Sequence, residues 1–147
     1  MLGRLARWLR LLGFDTLYYP DISDSRVLQL ALQDERIILT RDTHFTKIKN
    51  LRNLLLLRSE NPLQQVVEVA RAFNLKGFMP GRCARCNGIL DTVDHKESVR
   101  NLAPEYVYLN CNNFLRCKTC GNIYWEGTHI RRFRSMLSGI AKDNEIC

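Results

Sequence analysis

Four of the six cysteines in this 147-residue chain fall into two C-x2-C pairs, Cys83 with Cys86 and Cys117 with Cys120. Each pair delivers two sulfurs to one point from a single tight turn. Two such pairs complete a tetrahedral thiolate sphere that leaves no position for a substrate. The chemistry expected here is therefore structural, with one zinc ion held by Cys83, Cys86, Cys117 and Cys120. Asn87 and Gly88 follow the first pair, Gly121 and Asn122 the second; these residue types tolerate positive φ and let backbone N–H groups turn toward the sulfurs. The stretch between the pairs suits a small antiparallel ribbon that needs the metal to hold its core. Cys111 and Cys147 have no partner at ligand spacing and read as free thiols. His95 and His129 read as surface or capping residues, because four cysteines already fill the sphere. Cysteines used this way, without a secretory signal, point to a reducing, cytoplasmic setting.

A second chemistry rests on carboxylates. Hard cations such as magnesium or manganese take oxygen ligands, activate water and clamp phosphodiesters. In open α/β sheets such sites form beyond the carboxyl ends of parallel strands, where loops converge. Asp24 and Asp42 fall at such points. Either residue also has a plainer reading, Asp24 as a helix N-cap and Asp42 as an ordinary loop acid.

The elements that must position these groups are legible from periodicity. Leu2, Leu5, Ala6, Trp8, Leu9 and Leu12 share one side of a helical wheel and Arg4, Arg7 and Arg10 the other, with Gly13 placed as a left-handed cap. This arginine-bearing, acid-free start superficially resembles a mitochondrial presequence, but it has no serine and ends at a helix stop, so a folded helix is expected. Phe14 to Tyr19 reads as a short strand, and Val27 to Leu32 as part of a second helix. Ile37 to Leu39 and Leu54 to Leu57 read as fully buried strands of a parallel sheet, with a short helix over His44 to Leu51. Pro62 to Phe73 reads as a helix with Leu63, Val66, Val67, Ala70 and Phe73 inward. Gly77, Pro80 and Gly81 then break the pattern. The expected architecture is an α/β layer over residues 1–76 and a zinc ribbon over 80–147. The ribbon would have strand-like pieces at Ile89 to Val93, Tyr106 to Leu109 and Asn122 to Trp125, and a last helix near His129 to Leu137. No run is long and apolar enough to span a membrane.

Lysine and arginine outnumber acids 22 to 15, a formal charge of +7 that fits a polyanionic partner. Arg4, Arg7 and Arg10 form one basic cluster; Arg131, Arg132 and Arg134 form another, with Trp125 and His129 nearby. Arginine forks pair with phosphates and flat rings stack on unpaired bases, whereas the plainer readings are solvated helix faces and a packed tryptophan.

The string Met-Leu-Gly-Arg-Leu-Ala-Arg-Trp-Leu-Arg-Leu-Leu-Gly-Phe-Asp-Thr at residues 1 to 16 and Thr40-Arg41-Asp42 after a buried strand stand beside the cysteine motifs Arg82-Cys83, Cys86-Asn87-Gly88 and Cys120-Gly121, and Tyr124-Trp125-Glu126-Gly127-Thr128-His129. Together they resemble the PIN-like RNase family named for the C-terminal domain of the Mutator-seven exonuclease, over nearly the whole chain. The resemblance implies a PIN-like α/β nuclease domain joined to a zinc ribbon and acting on RNA with a divalent metal. It also implies Asp24 and Asp42 as metal-binding catalytic acids with Arg41 beside them. Family members usually carry a further strand ahead of the first helix, ending in an aspartate of the acidic cluster, and this chain begins at Met1. The expectation is then either a start further upstream or a site impaired by a missing acid; Asp21 and Glu60 are poor substitutes. The expected function is a metal-dependent ribonuclease. The rivals are a noncatalytic RNA-binding zinc-ribbon module and a DNA-directed zinc-ribbon factor.

Overall fold

Leucine and alanine recurring at helical spacing give helix α1 (Gly3–Leu11), and Leu5, Ala6, Leu9 and Leu12 are buried along it. The helix stops where expected. Gly13 takes φ 96°, its N–H reaches the Arg10 carbonyl at 2.9 Å, and the Phe14 N–H reaches the Leu9 carbonyl at 3.0 Å, which together make a Schellman cap. The computed structural model describes residues 2–75 and 81–127, together with 131, 134, 135 and 137. Its packing divides the chain into two compact units, one drawn from residues 1–5 and 18–75, the other from 6–17 and 76–147.

The first unit is a mixed α/β arrangement. Helix α2 (Asp24–Gln33) is capped by Ser23, whose hydroxyl accepts from the Arg26 N–H, so Asp24 is the first helical residue and not the cap. Strands β1 (Ile38–Thr40) and β2 (Leu54–Leu56) pair in parallel, with Ile38 opposite Leu54 and Thr40 opposite Leu56. A 3-10 turn over Thr43–Lys47 stands between them in place of the longer helix expected. Ala31, Ile38 and Phe45 form a buried cluster against which Val27, Leu28, Leu51 and Leu54 pack.

Two expectations fail here. Phe14 to Tyr19 is not a strand; the Thr16 N–H is taken by the Asn87 side chain, not by a sheet neighbour. The parallel sheet among the described residues is thus two-stranded. Its strands are not fully buried, for Ile38 is the one deeply buried residue of β1 and Leu54–Leu56 are only partly covered. A two-stranded sheet lacks the neighbours that would bury both faces.

Helix α3 (Pro62–Phe73) has the expected bounds, with proline in the first turn and Asn61 as N-cap. Its buried face is Gln65, Val66, Val67, Val69 and Ala70. Leu63 and Phe73, expected inward, are each 39% exposed at the two ends of the helix. Gln65 is tolerated inside because its amide donates to the Ser59 carbonyl at 2.9 Å.

In the second unit β3 (Leu90–Thr92), β4 (Phe114–Cys117) and β5 (Ile123–Trp125) make an antiparallel sheet in that order. The piece expected as a strand at Tyr106 to Leu109 is helical instead, within α4 (Glu105–Asn110). Pro104 and Glu105 favour a helix start, and the Tyr108 N–H closes on the Pro104 carbonyl at 2.9 Å. Cys111 therefore caps a helix and does not sit in a ribbon strand. Of the last helix, residues 131, 134, 135 and 137 are helical; Arg132, His129 and Cys147 lie outside the described residues. Among the described residues no helix is long and apolar enough to cross a membrane.

The Asn61 side chain accepts from the Leu63 N–H at 2.9 Å and the Gln64 N–H at 3.4 Å. Asn61→Ala is expected to cost about 1 kcal/mol of stability, measured as a lower urea midpoint at unchanged slope; an unchanged midpoint would show that the cap contributes nothing.

Candidate metal centre

The two C-x2-C segments fold by one repeated pattern. The Cys83 N–H bonds the Gly88 carbonyl at 2.8 Å, and the Asn87 N–H returns to the Cys83 carbonyl at 2.8 Å. Thirty-four positions on, by the numbering, Cys117 N–H bonds the Asn122 carbonyl at 2.9 Å and Gly121 N–H returns to the Cys117 carbonyl at 3.1 Å. Each knuckle needs one residue in the left-handed region: Asn87 at φ 66° and Gly121 at φ 77°. Gly88 and Asn122, expected to share that role, do not take positive φ. Gly88 is small for another reason: a Cβ there would lie 2.8 Å from the Cys117 sulfur and 2.9 Å from Thr119 Oγ1.

These turns bring the four sulfurs within 4.8 Å of one another. Two contacts bridge the knuckles, Cys83 to Cys120 at 3.6 Å and Cys86 to Cys117 at 3.4 Å. A regular tetrahedron with Zn–S bonds of about 2.3 Å has S···S edges of about 3.8 Å. The sulfur set therefore fits a zinc ion, and among the described residues it is the only group of three or more side chains able to hold a metal. The described cysteines form no disulfide. Cys83 and Cys117 are buried against Leu90, Leu115 and Tyr124, while Cys86 and Cys120 are exposed.

The electrostatics of the sulfur cluster favour a cation. Burial alone would raise the Cys83 thiol, but the Tyr124 hydroxyl and the Cys86 and Arg85 N–H groups hold it below its ordinary value. Burial likewise opposes ionisation of Cys117, yet the Cys120 and Thr119 N–H groups hold it down to about 6. Cys86 is drawn down by the Gly88 N–H, but the neighbouring sulfurs, Cys117 first, and burial outweigh this and leave it pushed up to about 12. Deprotonating all four thiols needs a divalent charge among them.

Tyr124 is a participant that spacing alone does not reveal. Its hydroxyl accepts from the Ala84 N–H at 3.0 Å and stands 3.1 Å from the Cys83 sulfur, to which it can donate its proton. Burial, and then the Cys83 sulfur, push the phenol pKa up, which keeps that proton on oxygen. Its sequence signal is its place at the head of the Tyr124–His129 motif; in the structure it lies in β5 opposite Leu115 and packs on the cysteine cluster.

The carboxylates are placed differently. Asp24 is exposed in the first turn of α2. Asp42 lies just past β1 and caps the 3-10 turn, with Oδ1 accepting from the His44 N–H at 2.9 Å and lying 2.8 Å from His44 Nδ1. The His44 backbone bond, and then the imidazole, hold the Asp42 carboxyl below the usual range. Arg41 pairs with Glu60 at 3.0 Å.

Of the basic residues, Arg4, Arg7 and Arg131 are exposed. Arg134 pairs with Glu126 at 2.9 Å. Arg10 does not belong to a solvated face. It is only 8% exposed and donates to the carbonyls of Thr16 at 2.8 Å, Ala84 at 3.0 Å and Arg85 at 3.5 Å. On a wheel of about 100° per residue it lies at the edge of the arginine face, next to the apolar stripe.

Tyr124→Phe is expected to leave one zinc per chain but weaken affinity by about tenfold or more, read by chelator competition; unchanged affinity would deny the hydroxyl a role. Asp42 is expected to titrate below an ordinary aspartate in a carboxyl NMR titration. Its folded pKa is depressed, so the capping contribution is present above the unfolded value and fades as pH falls through the folded one. Asp42→Asn should remove that acid dependence, and an ordinary titration midpoint would contradict the assignment.

With this geometry in hand, comparison with known proteins gives one match: the family model described as Mut7-C RNAse domain, over residues 1–137. No curated protein matches the chain. No solved structure matches it either.

Proposed function

Because this chain belongs to the Mut7-C RNAse domain family, we propose that it is a metal-dependent ribonuclease, a PIN-like phosphodiesterase acting on RNA with a zinc ribbon attached. The match across residues 1–137 is the observation that carries this reading. The cysteine site holds zinc structurally. Asp24 and Asp42 are the catalytic acids, each an exposed carboxylate offering oxygen to magnesium or manganese. A hard cation bound by one or two carboxylates completes its sphere with water and substrate phosphate oxygens, so a site with few acids is compatible with this chemistry. When bound, such a cation supplies charge neutralisation and an activated water.

The chain's own residues have definite tasks in this scheme. The His44 N–H bonds the ionised form of Asp42 and so keeps it charged further into acid, and both His44 contacts fall on Oδ1. Arg41 orients a phosphate, exchanging its Glu60 contact, which is an exposed pair of small worth. Arg4, Arg7, Arg131, Arg132 and Arg134 track the RNA backbone, consistent with the excess of basic residues.

A second reading is a noncatalytic RNA-binding zinc-ribbon module. It is favoured by the absence of any carboxylate cluster of three or more among the described residues. One experiment separates the two. Manganese-dependent cleavage of single-stranded RNA is expected from the purified chain, and Asp42→Asn is expected to lower it on the order of a hundredfold. Asparagine caps as well as aspartate, so the variant removes charge without removing the turn. Absence of cleavage, or cleavage indifferent to the substitution, would defeat the enzyme reading. Salt-dependent RNA binding without cleavage would establish the module.

A further inference from the structure

The first cysteine knuckle does more than present two sulfurs. Its loop carbonyls, at Ala84 and Arg85, accept from Nη1 of the buried Arg10 guanidinium, whose Nε is taken by the Thr16 carbonyl. The Arg82 N–H returns a bond to the Arg10 carbonyl at 2.7 Å. Asn87, the left-handed residue that follows Cys86, receives the Thr16 N–H on Oδ1 at 3.1 Å and donates Nδ2 to the Asp15 carboxylate at 2.7 Å. The Asn87 carbonyl meanwhile accepts from Arg82 Nη1 at 3.1 Å. Gly81 passes so close to the end of α1 that a Cβ there would lie 2.9 Å from the Leu11 carbonyl oxygen.

Apart from the Arg10–Thr16 bond within the segment, all of these polar partners of residues 10–16 lie between Arg82 and Asn87, the stretch whose turn brackets Cys83 and Cys86. The orientation of the Ala84 and Arg85 carbonyls depends on both flanking sulfurs facing one point. Without a cation nothing holds the two sulfurs to one point, and the knuckle loses the constraint that shapes it. A buried guanidinium whose acceptors have turned away is costly, so the segment that carries it cannot stay docked.

We infer that residues 6–17 and the first knuckle are one metal-dependent folding unit, in which filling the cysteine site orders the C-terminal half of α1 and the Phe14–Leu17 segment. Arg10 and Asn87 are the positioning residues of this linkage. Linkage is reciprocal: if the metal stabilises the docked segment, the docked segment strengthens metal binding by the same factor. This goes beyond the ribonuclease reading and holds whether or not the chain cleaves RNA.

The test uses the full chain in zinc-loaded and chelator-stripped forms. Hydrogen exchange is expected to show the Phe14 and Thr16 amides protected with zinc and, on its removal, losing protection together with Cys83 and Asn87. In parallel, zinc affinity by chelator competition is expected to fall about tenfold or more in Arg10→Met. Asn87→Gly, which keeps access to positive φ while deleting the side-chain bonds to Asp15 and Thr16, is expected to shift affinity in the same direction. Protection retained at Phe14 and Thr16 in the stripped protein overturns the inference. So does an unchanged zinc affinity in both variants.

Discussion

Four sulfurs held within 4.8 Å of one another cannot all carry charge unless a cation stands among them. Much of the second unit is arranged around that constraint. Backbone N–H groups of Thr119 and Cys120 face the Cys117 sulfur at 3.4 and 3.5 Å, and the Tyr124 hydroxyl faces Cys83. These groups lower the cost of ionisation but do not cancel the repulsion, as the raised Cys86 thiol shows. The four sulfurs are placed to draw the remaining stabilisation from a metal. A sheet of three short strands, with a buried cluster built on Cys83, Leu90 and Cys117, has little other means of holding itself together.

The same constraint reaches into the chain's beginning. Residues 6–17 are grouped with the ribbon residues, far from them in sequence, because α1 ends beside the first knuckle. A Schellman cap frees the chain to turn at Gly13, and the next residues then find their hydrogen-bond partners in Asn87 and not in a sheet. Arg10 illustrates how one side chain can belong to two descriptions. Its spacing places it with basic surface residues, but its fork can satisfy several carbonyls at once, which makes burial affordable.

The acids obey a different logic. Asp24 and Asp42 are exposed and lie at element starts, where carboxylates are favoured by unpaired N–H groups whatever else they do. A capping aspartate is therefore kept ionised and held in place by its turn, properties that a cation ligand shares. Position alone does not separate the two roles, which is why family membership carries the ribonuclease reading and the cysteine geometry carries the metal site.

The sequence by itself determined the features that depend on local rules. C-x2-C spacing, proline in the first turn of α3, glycine after α1 and the leucine pattern of the helices each act within a few residues, so the four-cysteine group, the α3 bounds and the α1 stop were readable directly. What only the tertiary structure decided were pairings between distant segments. The β4 partner at Phe114–Cys117, the helical state of Tyr106 to Leu109, the loss of the Phe14 to Tyr19 strand, the burial of Arg10 and the Tyr124 contact all depend on what lies opposite. Short apolar runs satisfy helix and strand alike, and a hydrogen-bonding side chain finds its partner only when the knuckle carbonyls are brought to it.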